Sequence, residues 1–163
     1  MPLIHLTTGV LVMLDILVWF IFHLGISYGV RQIADSFFER KHRWFRSFSF
    51  EKRGSFWEKN FRIKKWKDKL PDGTVIAKRG FDKSRLGKTD SAALKKFIIE
   101  TQRAELTHWL LIPPAFLFFL WNPRWAGWVM VFYALLVNVP FIMIQRYNRP
   151  RLERALIRKI RKN

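Results

Sequence analysis

Leu3 to Val30 reads LIHLTTGVLVMLDILVWFIFHLGISYGV, with one acid at Asp15 and neither Lys nor Arg. A helix of that length crosses the roughly 30 Å of hydrocarbon in a bilayer. The first cation, Arg31, follows the apolar run, whereas a cleaved signal peptide opens on a basic stretch and closes on small residues. The segment is therefore expected to be a retained anchor. Trp125 to Ile144, WAGWVMVFYALLVNVPFIMI, is a second run without a charge, with Trp125 and Trp128 where an aromatic belt sits.

A third apolar run, Leu106 to Leu120, is shorter, carries His108 and is interrupted by Pro113-Pro114. Extended back through FIIETQRAE to an N-cap at Asp90 or Ser91, it becomes one long helix, amphipathic before it enters the membrane. The prolines predict a kink near Ile112.

Charge fixes the expected orientation. Residues 31–104 hold 21 Lys+Arg against 9 acids, residues 146–163 hold 8 against 1, and the turn Trp121 to Pro123 holds none. The positive-inside rule places both basic segments in the cytoplasm, which requires an odd number of crossings. The expected architecture is all-α: a single membrane domain, 1–163, with spans at about 3–30, 98–120 and 125–144. A basic cytoplasmic segment, 31–97, carries amphipathic interfacial helices, and the tail 145–163 is also cytoplasmic. Two spans with the Pro-Pro segment re-entrant is the minor alternative. The expected location is the cell membrane, multi-pass.

The whole chain has 163 residues, a formal charge of +18 and no cysteine. Half of it is hydrophobic and 17% aromatic, too apolar for a disordered basic tail. Without cysteine, thiolate catalysis and disulfides are excluded. The mean hydropathy of -0.04 conceals separate apolar and charged blocks.

Between Phe37 and Leu70 aromatic residues alternate with cations. Phe56, Ile63, Trp66 and Leu70 share one helical stripe, surrounded by Lys59, Lys64, Lys65, Lys67 and Lys69, which predicts a helix lying among anionic headgroups. Single-stranded nucleic acid also favours such composition, but apolar spans on both sides make lipid the expected partner and nucleic acid not. Trp57 and Trp66 are candidate substrate contacts. Residues 71–89, with turn signals at Asp72-Gly73, Gly80 and Gly87, are expected to form an exposed loop.

No GxSxG elbow, glycine-rich phosphate loop, HExxH or HxxxxD is present. What remains is IIETQRAELTHW, residues 98–109. On a helix Glu105 and His108 are i, i+3 neighbours, and Glu100 shares their face. A carboxylate that orients an imidazole suits deprotonation of a hydroxyl. An interfacial capping pair explains the same spacing. Half a di-iron motif is also present, but such sites need two copies and further glutamates, so no metal is expected. Arg146, Arg149 and Arg151 in QRYNRPRL can hold phosphate bidentately, or simply anchor the topology. Asp15, costly inside a span, is a functional candidate or pairs with a polar group on another span.

SFSFEKRGSFWEKNFRIKKWKDKLPDG (47–73), IIETQRAELTHW (98–109) and NVPFIMIQRYNRPRL (138–152) resemble the glycosyl-diaponeurosporenoate acyltransferase family, which performs the last step of staphyloxanthin-type carotenoid synthesis. These three ordered blocks cover about a third of the chain, and GVRQIADSFF (29–38) adds a shorter likeness; Asp15 inherits no role. The resemblance implies esterification of the primary sugar hydroxyl of a glycosylated carotenoid by a fatty acyl group at the cytoplasmic membrane. The expected assignments follow: His108 as base, Glu105 as its orienter, Arg103 or Asn148 as oxyanion donor, and Arg146, Arg149 and Arg151 on donor phosphates. No resident cofactor is expected, the donor being acyl-CoA or an acyl carrier protein; other carotenoid-pathway enzymes are possible partners. Two other functions fit the residues: the same chemistry on another glycolipid, and a non-catalytic membrane scaffold.

Overall fold

The computed structural model describes residues 7–70 and 90–161. These residues are helical, with no strand among them. The α-helices are α1 (Thr8–Gln32), α2 (Asp35–Arg40), α3 (Ser55–Phe61), α4 (Ile63–Trp66), α5 (Ser91–Leu111) and α6 (Arg124–Ile160), with 3₁₀ turns at His42–Phe45, Ser49–Gly54, Lys67–Lys69 and Pro113–Leu120. The loop expected over 71–89 and the first residues of the apolar run lie outside the described residues.

Two helices, α1 and α6, are long and apolar enough to cross a membrane. On α1, Met13, Ile16 and Phe20 are at least 60% exposed, a face that suits hydrocarbon better than water. The expected third span, 98–120, is not one such helix. α5 stops at Leu111, and Pro113 and Pro114 open the following 3₁₀ segment. Proline has no N–H to offer the preceding turn and its ring crowds the carbonyl four residues back, so the α-helical ladder ends just ahead of the pair. α5 begins where its cap predicts: Leu94 donates to the Asp90 carbonyl at 3.1 Å and the Ser91 N–H to the Asp90 carboxylate at 2.6 Å.

The stripe over 56–70 is likewise not one helix. Arg62, with φ 48° and ψ 46°, separates α3 from α4. The Glu58 carbonyl accepts the Arg62 N–H and its carboxylate accepts the Lys64 N–H at 3.1 Å, so local capping replaces the continuous ladder. Ile63 becomes fully buried while Phe61 stands exposed, a different face from the predicted one.

The chain divides into two compact units, Met1–Ala34 with Arg103–Ile142, and Asp35–Gln102 with Met143–Asn163. In the first, Trp19 stacks on Phe118 at 4.9 Å and packs with Ala115, Val131 and Ala134. Asp15 is buried there with its Oδ1 accepting both Trp121 Nε1 and Asn122 Nδ2 at 2.8 Å, so the acid of the first span is paired. Each such bond contributes about 0.5–1.5 kcal/mol net. In the second unit, Leu94 and Ile98 of α5 pack on Leu152 of α6. Lys96 meets Asp35 at 2.6 Å and Glu100 at 3.3 Å, and its bond to Asp35 holds the ammonium above the ordinary lysine range.

Candidate active site

α5 presents His108 half-buried in the first unit, its ring stacked on Phe141 of α6 at 4.7 Å and 9°. Nδ1 lies 2.9 Å from Asn138 Oδ1, and Asn138 Nδ2 donates to the Ala134 carbonyl at 2.8 Å. The second bond orients the amide: only the NH₂ can face a carbonyl, so the oxygen faces the histidine. An oxygen that can only accept requires the proton on Nδ1. The neutral ring therefore keeps its lone pair on Nε2, which has no hydrogen bond among the described residues. An imidazole clamped between an aromatic face and a fixed acceptor, with Nε2 basic, can take a proton from a hydroxyl.

The orienting partner differs from the one the spacing suggests. Glu105, almost fully buried, accepts from Trp109 Nε1 at 3.3 Å one turn along the same helix, whereas His108 is held by Asn138. Neighbours at i, i+3 share a face, but helix side chains lean toward the N-terminus, so Trp109 reaches back to Glu105 while His108 meets its acceptor on α6. Arg103 Nη1 donates to the carbonyls of Val30 at 2.9 Å and Ile33 at 2.7 Å. It caps the C-terminal end of α1, where cations meet unsatisfied carbonyls.

The remaining candidates lie in the second unit. Arg146, buried, donates from Nε and Nη2 to the two oxygens of the fully buried Glu51 at 2.5 and 2.9 Å and lies over the Phe48 ring. Arg149 gives Nε and Nη2 to the Thr101 hydroxyl and carbonyl, and Nη1 to the Phe45 carbonyl at 2.7 Å. Both guanidinium groups thus bond inside the protein, where a donor phosphate would have to compete with the Glu51 carboxylate and backbone carbonyls for them. Arg151 is exposed and bonded to the Tyr147 hydroxyl, over whose ring it also lies. Trp57 Nε1 donates to Glu51 at 3.0 Å and Trp66 Nε1 to the Phe61 carbonyl at 2.8 Å, so these indoles brace the fold. Glu100 is half-exposed beside Lys96, and Asn148 is half-buried on α6.

Asn138 and Glu51 were not singled out by sequence reasoning. Each carried a signal: Asn138 is a polar side chain inside an apolar run, and Glu51 an acid inside a basic one.

Comparison with known proteins agrees on one family. The family described as glycosyl-4,4'-diaponeurosporenoate acyltransferase matches residues 41–158. Proteins of that name from Staphylococcus aureus strains bovine RF122 / ET3-1 and MRSA252 are 44% identical to this chain over 138 residues, covering 85% of it and 83% of the relative. The homologue from strain USA300 is 43% identical over the same coverage. No solved structure matches the chain. With a match across most of its length, the chain belongs to the glycosyl-4,4'-diaponeurosporenoate acyltransferase family and is an acyltransferase.

Proposed function

We propose that the protein esterifies the primary sugar hydroxyl of a glycosylated carotenoid with a fatty acyl group, His108 serving as general base. The Asn138 clamp on Nδ1 carries the assignment, because it leaves Nε2 as the basic nitrogen. Nε2 takes the hydroxyl proton as the sugar oxygen attacks the carbonyl of an acyl thioester. The tetrahedral intermediate then expels the thiolate, breaking the C–S bond, and the imidazolium returns the proton to sulfur. Asn138 positions the ring, accepting from Nδ1–H in both charge states. The reaction as written calls on no resident cofactor, only on acyl-CoA or an acyl carrier protein as donor. The basic segments 31–104 and 146–163 favour the cytoplasmic side with the N-terminus outside, which makes the proline-interrupted stretch Leu106 to Leu120 a third crossing beside α1 and α6.

The test is acyl transfer by purified protein in lipid nanodiscs, with glycosylated carotenoid, labelled acyl donor and product mass as readout. His108→Gln is expected to lower turnover by about 10²–10⁴. Asn138→Asp keeps the acceptor but adds a negative charge beside the ring, so the ascending limb of the pH–rate profile moves to higher pH. Near-normal turnover of His108→Gln sinks the base assignment, and an unmoved profile for Asn138→Asp sinks the positioning role. Transfer that appears only when a second polypeptide is added would favour the scaffold function.

A further inference from the structure

The described part of the stretch 41–70 sets apart one surface that the reaction does not use. Phe48, Phe50 and Phe61 are 47–58% exposed, yet they are not isolated. Phe48 stacks on Phe50 at 5.7 Å, Phe50 meets Phe56 edge-on at 5.3 Å, and Phe56 reaches Phe61 at 6.2 Å. Trp57 ties the inner side of this ladder to the buried Glu51, whose other oxygen accepts the Phe48 N–H at 2.7 Å. The rings therefore form a braced apolar ridge.

Cations surround it. Residues 41–70 contain 11 Lys+Arg and 3 acids, and all three acids are engaged: Glu51 with Arg146, Glu58 with the Lys64 N–H, and Asp68 with Lys67. Lys52, Arg53, Lys59, Arg62, Lys64 and Lys65 stand exposed. Among the described residues, the only non-glycine positions with positive φ are Lys52, Arg53 and Arg62, at 46°, 56° and 48°. Left-handed backbone is unfavourable for side chains with a Cβ and persists where the surroundings or a function require it. Here every such position is a cation within three residues in sequence of a ridge phenylalanine, Arg62 also ending α3.

We infer that the exposed aromatic ridge Phe48–Phe50–Phe61, with the left-handed cations Lys52, Arg53 and Arg62, is a docking surface for anionic phospholipid headgroups. Rings seat at the headgroup–acyl boundary while the cations stay at the phosphate level. Nucleic acid suits the geometry less well, because base stacking needs open ring faces and Phe48 and Phe50 cover one another. An acidic carrier protein is the rival occupant. The inference rests on the chain being held at a membrane, not on the reaction assigned to His108.

The chain has no cysteine, so Phe50→Cys gives a single site for a nitroxide. Collision with oxygen against a water-soluble nickel chelate then reports its depth in nanodiscs of phosphatidylcholine alone or mixed with phosphatidylglycerol. The expected result is preferential oxygen collision in the phosphatidylglycerol discs, reversing to nickel in phosphatidylcholine discs and at high salt. Combining Lys52→Asn, Arg53→Asn and Arg62→Asn removes the charge while retaining a residue that tolerates left-handed backbone. It should return the label to water with the helical circular dichroism unchanged. Lys59→Gln with Lys64→Gln, away from the left-handed positions, should weaken insertion partially and guards against a folding defect in the triple variant. Equal accessibility in both lipids overturns the inference, as does burial of the label only after an acyl carrier protein is added. Acyl transfer in the same discs separates the two readings: an inactive protein with a lipid-buried label would remove the reaction and leave this surface standing.

Discussion

Replacing Arg146 by Met separates a donor-binding arginine from an internal tie. Glu51 is fully buried and accepts four bonds: the Phe48 N–H at 2.7 Å, Trp57 Nε1 at 3.0 Å, and Arg146 Nε and Nη2 at 2.5 and 2.9 Å. Arg146→Met leaves the carboxylate charged among neutral donors, a loss of about 3–5 kcal/mol. For a chain of this size each kcal/mol moves the midpoint by about 2–4 °C, so Tm should fall by roughly 6–20 °C. Glu51→Gln added to Arg146→Met removes both charges and should recover most of that loss, because the stranded ion and not the missing contact dominates the cost. Thermal unfolding in nanodiscs by tryptophan fluorescence measures the four corners of this cycle, and donor titration on the same samples gives KM. The expected pattern is a lowered Tm with donor KM unchanged in the folded fraction. Wild-type Tm in Arg146→Met together with a donor KM raised tenfold or more would refute the internal tie and return the arginine to phosphate binding.

Three further outcomes are expected. Gly54→Ala places a Cβ at φ +92° and 3.0 Å from the Tyr147 carbonyl oxygen, and thermal unfolding should show a loss of at least the roughly 1–2 kcal/mol of a left-handed alanine. Asp15→Ala strands two donors, Trp121 Nε1 and the buried Asn122 Nδ2, at about 1–3 kcal/mol each; Asp15→Asn, which keeps an acceptor, should lose less by the same unfolding assay, with kcat in the folded fraction unchanged. Asp35→Asn should cost under about 1 kcal/mol near neutral pH, since the Lys96 pair is exposed; because the folded-state pKa of Lys96 is raised above its ordinary 10.5, the stabilisation is complete below that value and is lost as pH rises through the folded-state pKa, which paired unfolding curves against pH would reveal.

Features encoded within one stretch of chain were legible. The apolar lengths of α1 and α6 pointed to the two long helices and Asp90 marked the start of α5, whereas the prolines, read as a kink within a helix reaching residue 120, end it at Leu111. His108 stood out as an imidazole beside acids at helical spacing. Partners far apart in sequence were not legible. Nothing near Glu51 announces Arg146, ninety-five residues away, and i, i+3 spacing favoured Glu105 over Asn138 although the latter sits thirty residues on. The stripe over 56–70 failed for another reason: periodicity presumes an unbroken ladder, and a carboxylate able to cap the next turn, Glu58, can break it at Arg62.

The 3₁₀ segment Pro113–Leu120 also works as a spacer. Its eight residues advance about 2.0 Å each and reach about 16 Å, where α-helical winding at 1.5 Å would reach only about 12 Å. The difference of about 4 Å exceeds the 2.8 Å bonds by which Trp121 and Asn122 reach Asp15. Two leucines at 113 and 114 that allowed the segment to rewind would draw that turn off its carboxylate. The proline pair sets a distance as well as ending a helix, and so determines whether the acid within the first apolar run is stranded or satisfied.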